Sequence, residues 1–177
     1  MSREIVFVGG SPSSTSRSRF VAGSVAQELA GAGWTARHVS LGDFDAEDVF
    51  HGRTSAPKIA AFVDAVKSAA AIVLSTPVYK ATYSGALKAI VDVIPPDALA
   101  GKPALGIATI RLETHGPEVD HAYRALFAFF QSKAVGSLIV RDDELPPAEG
   151  GSFALNDAAR DRTAGAAKAL LAALETP

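Results

Sequence analysis

Short apolar runs alternate with helical patterns along this 177-residue chain, and the alternation restricts the possible folds more than any other feature. A strand buried on both faces is continuously apolar, whereas a helix on a sheet repeats its apolar residues every three or four positions. Strands that alternate with helices are typical of a parallel sheet covered on both faces. The predicted strands are residues 5–8, 34–41, 70–75, 103–110 and 134–140.

Helical patterns occupy most of the stretches between these strands. Apolar residues at helical spacing, with glycine or proline near the ends, mark each helix. The polar and acidic stretch 42–53 predicts a loop instead. The predicted helices are residues 20–30, 56–69, 84–94, 118–132 and 154–174.

A loop rich in hydroxyl groups, which we call the serine loop (residues 9–18), joins the first strand to the first helix. Unpaired N–H groups and the helix dipole favour an anion at a helix N-terminus. The loop has neither the lysine-containing pattern of an ATP-binding P-loop nor the three-glycine pattern of a dinucleotide site. It predicts a site for a terminal phosphate monoester, although a serine loop that only caps the helix has a similar sequence.

Five strands with a mononucleotide-type loop after the first predict a flavodoxin-like α/β fold. Right-handed crossovers then favour a doubly wound, five-stranded parallel sheet of order 2-1-3-4-5, in one domain spanning residues 1–177. Ligands of such folds bind beyond the carboxyl ends of the strands, where the strand order reverses. We therefore expect the site in the loops after the first, third and fourth predicted strands.

The composition excludes several classes of function. Lys and Arg number 17 against 19 Asp and Glu, and this balance argues against a nucleic-acid binder with a basic surface. Cysteine is absent, so disulfides and thiolate catalysis are excluded. The histidines lack metal-site spacing, and no apolar run reaches the roughly 20 residues that span a bilayer. We expect no metal, no nucleic acid and no membrane partner, and a cytoplasmic location because residues 1–4 lead directly into a strand.

A second loop, which we call the tyrosine loop (residues 75–88), follows the third predicted strand. Tyr79 and Tyr83 offer flat surfaces on which an aromatic ligand could stack. A phosphate loop beside such a surface predicts a nucleotide-like ligand with a large planar ring. Each residue alone has a plainer interpretation, since Pro77 could end the strand, the tyrosines could pack against helices and Lys80 could be a solvated charge.

The two loops together closely resemble those of the NAD(P)H-dependent FMN reductases. The branch most similar to this chain comprises the reductase components of two-component alkanesulfonate monooxygenases. The resemblance extends from the first strand into the helix near His121. It is carried by Gly-Ser-Pro at 10–12, Ser-Arg-Ser at 16–18, Thr-Pro-Val-Tyr-Lys at 76–80 and Tyr-Ser-Gly-Ala-Leu-Lys at 83–88.

The resemblance implies an enzyme that transfers a hydride from NADPH or NADH to FMN and supplies reduced flavin to a partner monooxygenase. Because the cofactors carry this chemistry, we name no catalytic side chain. Members of the family usually form homodimers or homotetramers with the flavin near a subunit interface. The resemblance places Ser11, Ser16, Arg17 and Ser18 around the FMN phosphate and Pro77, Val78, Tyr79, Lys80, Ser84 and Thr109 around the isoalloxazine ring.

The chain departs from the family pattern at two places. Many relatives have two glycines where this chain has Ile110 and Arg111, so these side chains could crowd the ring, or Arg111 could place a positive charge near reduced flavin. Ser13 stands where relatives often have arginine, which leaves Arg17 as the expected cation of the phosphate site.

Two other functions suit the same loops. A flavoprotein with tightly held FMN could reduce quinones, azo dyes or metal oxyanions. A flavodoxin-like electron carrier could bind FMN without reductase activity, but such carriers are usually strongly acidic and this chain has a formal net charge of only −2.

Overall fold

The computed structural model describes residues 3–13 and 15–176, so Ser14 of the serine loop and the terminal residues 1, 2 and 177 lie outside the described residues. The strands are β1 (Glu4–Gly9), β2 (Thr35–Ser40), β3 (Ala71–Tyr79), β4 (Thr82–Tyr83), β5 (Pro103–Ile110) and β6 (Lys133–Arg141). The helices are α1 (Arg17–Gly31), α2 (Ala46–Phe50), α3 (Pro57–Ser68), α4 (Gly85–Val91), α5 (His115–Phe129) and α6 (Asp157–Glu175).

The main sheet is parallel and has the order β2-β1-β3-β5-β6. The short strand β4 pairs antiparallel with β3 and lies outside this path. When β4 is set aside, the remaining strands have the predicted order 2-1-3-4-5. The prediction of a flavodoxin-like α/β fold is therefore confirmed.

Each face of the sheet packs against its own set of helices. Alternate side chains of β1 divide between them: Ile5 and Phe7 pack with α1 and α6, whereas Val6 and Val8 pack with α3, α4 and α5. This alternation follows from the two-residue repeat of a strand. Because both faces are buried, the site can form only where the strands end.

Several predicted boundaries need correction. The stretch 42–53, predicted as a loop, contains most of a 3₁₀ turn at Leu41–Asp43 and the whole of helix α2. Helix α2 buries a single side chain, that of Val49, and one apolar residue gives no periodic signal in the sequence. Helix α5 begins at His115 rather than at 118, and Pro117 lies in its first turn. Proline is tolerated there because the backbone N–H groups of the first turn have no partner within the helix. Strand β3 continues past the predicted 70–75 to Tyr79, where it pairs with β4.

Candidate functional site

The serine loop, the tyrosine loop and the end of β5 meet at the carboxyl edge of the sheet. Gly9 is in register with Ser75, and Pro77 with Thr109. The amide N–H of Gly10 donates to the Ser75 carbonyl over 2.7 Å, so the serine loop continues directly from the paired strands. The structure thus brings together the three segments that the sequence predicts as a site.

Ser84 joins the two loops through its side chain. Its Oγ donates to the carbonyl of Gly10 and accepts from the amide of Leu87 over 3.0 Å, while its own amide donates to Thr76 Oγ1 over 2.9 Å. A Cβ on Gly10 would lie 2.4 Å from Leu87 Cβ, so only glycine permits this close approach of the loop to α4. Ser84 is buried and holds the two loops together as well as capping α4.

The serine loop uses its hydroxyl groups partly on itself. Ser16 is the N-cap of α1 and accepts from the amide of Arg19 over 3.3 Å. Its Oγ also lies 3.0 Å from the Oγ of Ser18, and both residues are buried. Ser11 Oγ accepts from the amide of Ser13 over 3.2 Å. The capping function needs only Ser16, so capping alone does not account for the other hydroxyls of the loop.

Arg17 extends from the first turn of α1 toward the end of β6. Its Nε lies 3.8 Å from Asp142 Oδ1, and its Cζ lies 5.0 Å from the centre of the Phe153 ring. Among the described residues, the buried Nε atom has no hydrogen-bond partner. Because a buried N–H without an acceptor is unfavourable, this guanidinium fits a site that receives an anion. Asp142 and Phe153 give no sequence signal for this role, since they are more than 120 positions from Arg17.

The tyrosine loop folds into a tight hairpin. Tyr79 pairs with Thr82, and the two residues between them, Lys80 and Ala81, have φ values of 53° and 65°. Positive φ at both central positions defines the two-residue turn that matches the twist of a hairpin. Because neither residue is glycine or asparagine, the sequence gives no signal for this turn. Tyr79 is 51% exposed at the hairpin tip, where its ring is accessible for stacking.

Tyr83 occupies a different position from Tyr79. Its ring packs against the core, 6.2 Å from the ring of Tyr123. The Tyr123 hydroxyl donates to the carbonyls of Leu74 and Ile107 over 3.0 and 2.9 Å, and burial raises the pKa of this phenol. Tyr83 thus packs on a residue that bridges β3 and β5 beneath the site, and Tyr79 is the one that presents an exposed ring.

The two residues after Thr109 lie on opposite sides of the chain. Thr109 and Ile110 are buried, and a Cβ built on Gly116 would contact the Ile110 side chain at 3.7 Å. Arg111 is exposed. The Ile110 side chain therefore points into the core, and Arg111 is the cation available at the end of β5.

Arg19 is a functional candidate that sequence reasoning missed. Together with Thr15 and Ser16 it lines a cleft of about 270 Å³ whose opposite wall is formed by residues 150–153. Arg19 also lies beside His38, whose pKa is lowered by burial and by the Arg19 charge. The alternation Ser-Arg-Ser-Arg at 16–19 was the available signal, because it places a second arginine in the first turn of α1, directly after the loop.

Residues 3–13 and 15–176 contain no group of three or more His, Asp or Glu side chains placed to hold a metal ion. Within the same ranges, no helix has both the length and the apolar character needed to cross a bilayer.

The fold and the site define a flavodoxin-like protein with a mononucleotide-type binding edge. The model of the NADPH-dependent FMN reductase family matches residues 3–144, and the chain belongs to this family.

Individual relatives agree with this assignment. The chain is 37% identical to an FMN reductase (NADPH) of Pseudomonas putida over 147 residues, covering 82% of this chain and 75% of the relative. It is 34% identical to the NADH-dependent FMN reductase SfnF of Pseudomonas putida over 79 residues, covering 45% of this chain and 42% of that protein. The apo structure of the NADH:FMN oxidoreductase EMOB superposes with a TM-score of 0.87 at 30% identity, covering 98% of this chain and 91% of that one.

These findings confirm the family resemblance and the class of activity. The chain is an oxidoreductase of the FMN reductase type, with FMN and NAD(P)H as its substrates or cofactors. Its relatives include both NADPH- and NADH-dependent enzymes.

Proposed function

We propose that this reductase binds FMN along the carboxyl edge of β1, β3 and β5, with the phosphate at the serine loop and the ring beside the tyrosine hairpin. The observation that carries the proposal is the joining of both loops by Ser84 and Gly10 beside the paired ends of Pro77 and Thr109. A mononucleotide needs both ends of such a site, since the phosphate and the ring are recognised separately.

The phosphate end is supported by its donors and its charge. The N-terminus of α1 faces the loop, and helix N-termini favour phosphates. Arg17 contributes a buried N–H that lacks an acceptor within the described part of the chain. We assign Ser11, Ser16, Arg17 and Ser18 to this end.

The ring end is supported by the shape of the tyrosine hairpin. The exposed ring of Tyr79 offers a stacking surface, and the buried Thr109 lies beside Pro77 at the ends of the strands. The hairpin turn at Lys80 fixes the orientation of this surface. We assign Pro77, Val78, Tyr79, Lys80, Ser84 and Thr109 to this end, with Ser84 acting through the loops that it joins.

The chemistry requires little from the side chains. FMN and NAD(P)H held at this edge would themselves supply the redox chemistry, a hydride transfer from nicotinamide to flavin. The protein must hold the flavin, orient the nicotinamide against it and limit the access of water. Arg111, exposed at the end of β5, is placed to add positive charge near this edge.

We further propose that reduced FMN leaves the enzyme and is used by a partner flavin-dependent monooxygenase. We also propose that the chain is a single domain, that it forms a homodimer or homotetramer, and that it acts in the cytoplasm. The two matching loops support the first proposal through their resemblance to reductases of two-component systems. Leu112, in the loop after β5, and Phe129, the last residue of α5, are 55% and 62% exposed, and these apolar side chains support self-association.

One experiment separates this function from its alternatives. Purified protein is titrated with FMN, dialysed, and then assayed for oxidation of NADPH and of NADH with and without added FMN. We expect oxidation that depends on added FMN and loss of the yellow colour on dialysis. Colour retained through dialysis, with ping-pong kinetics toward a quinone, would indicate a flavoprotein with tightly held FMN. Bound FMN that neither nucleotide bleaches would indicate an electron carrier.

A further inference from the structure

The segment after β6 forms an arm that returns to the serine loop. We call residues 145–156 the C-terminal arm; they lie beyond the region that the family model matches. The arm folds back on itself, with Ala148 N donating to the Ser152 carbonyl and Ala154 N donating to the Pro146 carbonyl, each over 3.0 Å. Gly150, with φ of 70°, lies at its turn. The arm is therefore a defined hairpin-like unit.

Glu144 anchors the arm at both of its ends. Its carboxylate accepts from the amide of Arg141 over 2.9 Å and from Arg162 Nη2 of helix α6 over 2.7 Å. Its carbonyl accepts from the amide of Asn156 over 3.1 Å, and Asn156 caps α6. The arm leaves and rejoins the body of the protein at the same buried residue.

This anchoring places Phe153 against the phosphate loop. The Phe153 ring contacts the Phe20 ring edge-on, with 6.0 Å between their centres, and lies under the guanidinium of Arg17. Asp142 approaches the same guanidinium from the end of β6 at 3.8 Å. The arginine is thus held between a ring and a carboxylate at the first turn of α1.

The arm also forms one wall of the cleft beside the loop. Thr15, Ser16 and Arg19 line one side, and residues 150–153 line the other. Two arginines therefore lie between the serine loop and the C-terminal arm: Arg17 contacts the Phe153 ring, and Arg19 lines the cleft. Asp142 offsets part of the Arg17 charge, but Arg19 and the helix N-terminus leave net positive charge, which favours a doubly charged phosphate over a neutral group.

We propose that Phe153 is a positioning residue that makes this reductase prefer phosphorylated over unphosphorylated flavin. By stacking on the guanidinium of Arg17, the ring keeps the arginine ordered before the phosphate arrives, so less side-chain freedom is lost on binding. This inference rests on the proposed function, because it takes the serine loop as the site of the FMN phosphate.

The test compares FMN with riboflavin, which has the same ring but no phosphate. Dissociation constants for both are measured by quenching of flavin fluorescence in the wild-type chain, in Phe153→Leu and in Phe153→Tyr. We expect Phe153→Leu to weaken FMN binding by about three- to tenfold, since the contact is a single cation–π interaction. Riboflavin binding should be unchanged by Phe153→Leu. Phe153→Tyr keeps an aromatic ring at this position, so it should bind FMN as tightly as the wild type does. Phe50→Leu, at an exposed phenylalanine of α2, is the matched control.

A double-mutant cycle identifies the partner of the ring. Arg17→Gln removes the cation that the ring contacts, so Phe153→Leu should have no further effect in that background. Equal weakening of FMN and riboflavin by Phe153→Leu, or no weakening of either, would overturn the role of Phe153. If Phe153→Leu does not fold, Arg17→Gln still decides the matter, because a preference for FMN over riboflavin that Arg17→Gln leaves undiminished also overturns the role of Phe153. A wild-type chain that binds FMN no better than riboflavin would instead contradict the phosphate site of the proposed function.

Discussion

Ser84 has two functions that compete for the same side chain. The family resemblance places it beside the flavin ring, but its Oγ is already engaged with Gly10 and with Leu87 of α4. A buried hydroxyl with both kinds of bond satisfied has little capacity left for a ligand. Its effect on flavin binding should therefore be indirect, through the positions of the two loops.

We expect Ser84→Ala to lower the free energy of unfolding by about 1–3 kcal/mol, because it leaves the Gly10 carbonyl and the Leu87 amide without their partner. The KM for FMN should rise as the serine loop separates from α4. Urea denaturation and steady-state kinetics measure the two effects. Ser24→Ala is the matched control, since Ser24 Oγ bonds only to the Phe20 carbonyl within α1. A Ser84→Ala protein of wild-type stability would contradict the assigned role.

At the scale of elements, the junction between β6 and α6 depends on one carboxylate. Burial alone would raise the pKa of Glu144, but hydrogen bonds from Arg162 and from the backbone of Arg141 outweigh burial and lower it below the ordinary value of 4.5. A lowered folded-state pKa means that the unfolded chain binds the proton more readily. The stabilisation by Glu144 is therefore present above pH 4.5 and is lost as the pH falls through the lower folded-state value.

We expect Glu144→Gln to be less stable than the wild type by about 1–3 kcal/mol at pH 7, because a hydrogen bond between two opposite charges is replaced by one in which only Arg162 is charged. The difference should shrink as the pH falls below 4.5, because the carboxylate of the unfolded chain takes up a proton before that of the folded chain does. Urea denaturation across this pH range measures it. Glu149→Gln, in the exposed part of the arm, serves as the control. A difference that does not change with pH would show that the charge of Glu144 is not the stabilising feature.

At the scale of the whole molecule, the proposed self-association can be tested at the exposed apolar side chain that follows β5. We expect light scattering to give a mass of twice or four times the 18.3 kDa of the chain. Leu112→Arg should lower this mass, because Leu112 is exposed in the loop that follows β5, beside the proposed flavin site. Phe50→Arg, at a more exposed position on α2, should leave it unchanged. A wild-type chain that is monomeric at all concentrations would contradict the proposed assembly.

The sheet and the binding edge could be predicted from the sequence because both depend on local signals. Continuous apolar runs mark strands buried on two faces, and Ser16 stands directly before the first residue of α1. The hairpin at Lys80 and Ala81 could not be predicted, because its residues do not favour the positive φ values that they adopt. The contact of Phe153 with Arg17 could not be predicted either, because it depends on how α1 and the C-terminal arm pack.

The bond between Ser84 and Gly10 has a consequence for how quickly flavin can enter and leave. The two loops that would seat it are already fixed to each other by bonds formed within the folded chain. Their conformational entropy is lost during folding and not at each encounter with a ligand. Successive flavin molecules would therefore bind to loops that already have the same conformation. If this reductase releases reduced flavin after every turnover, these loops would need neither to close nor to reopen.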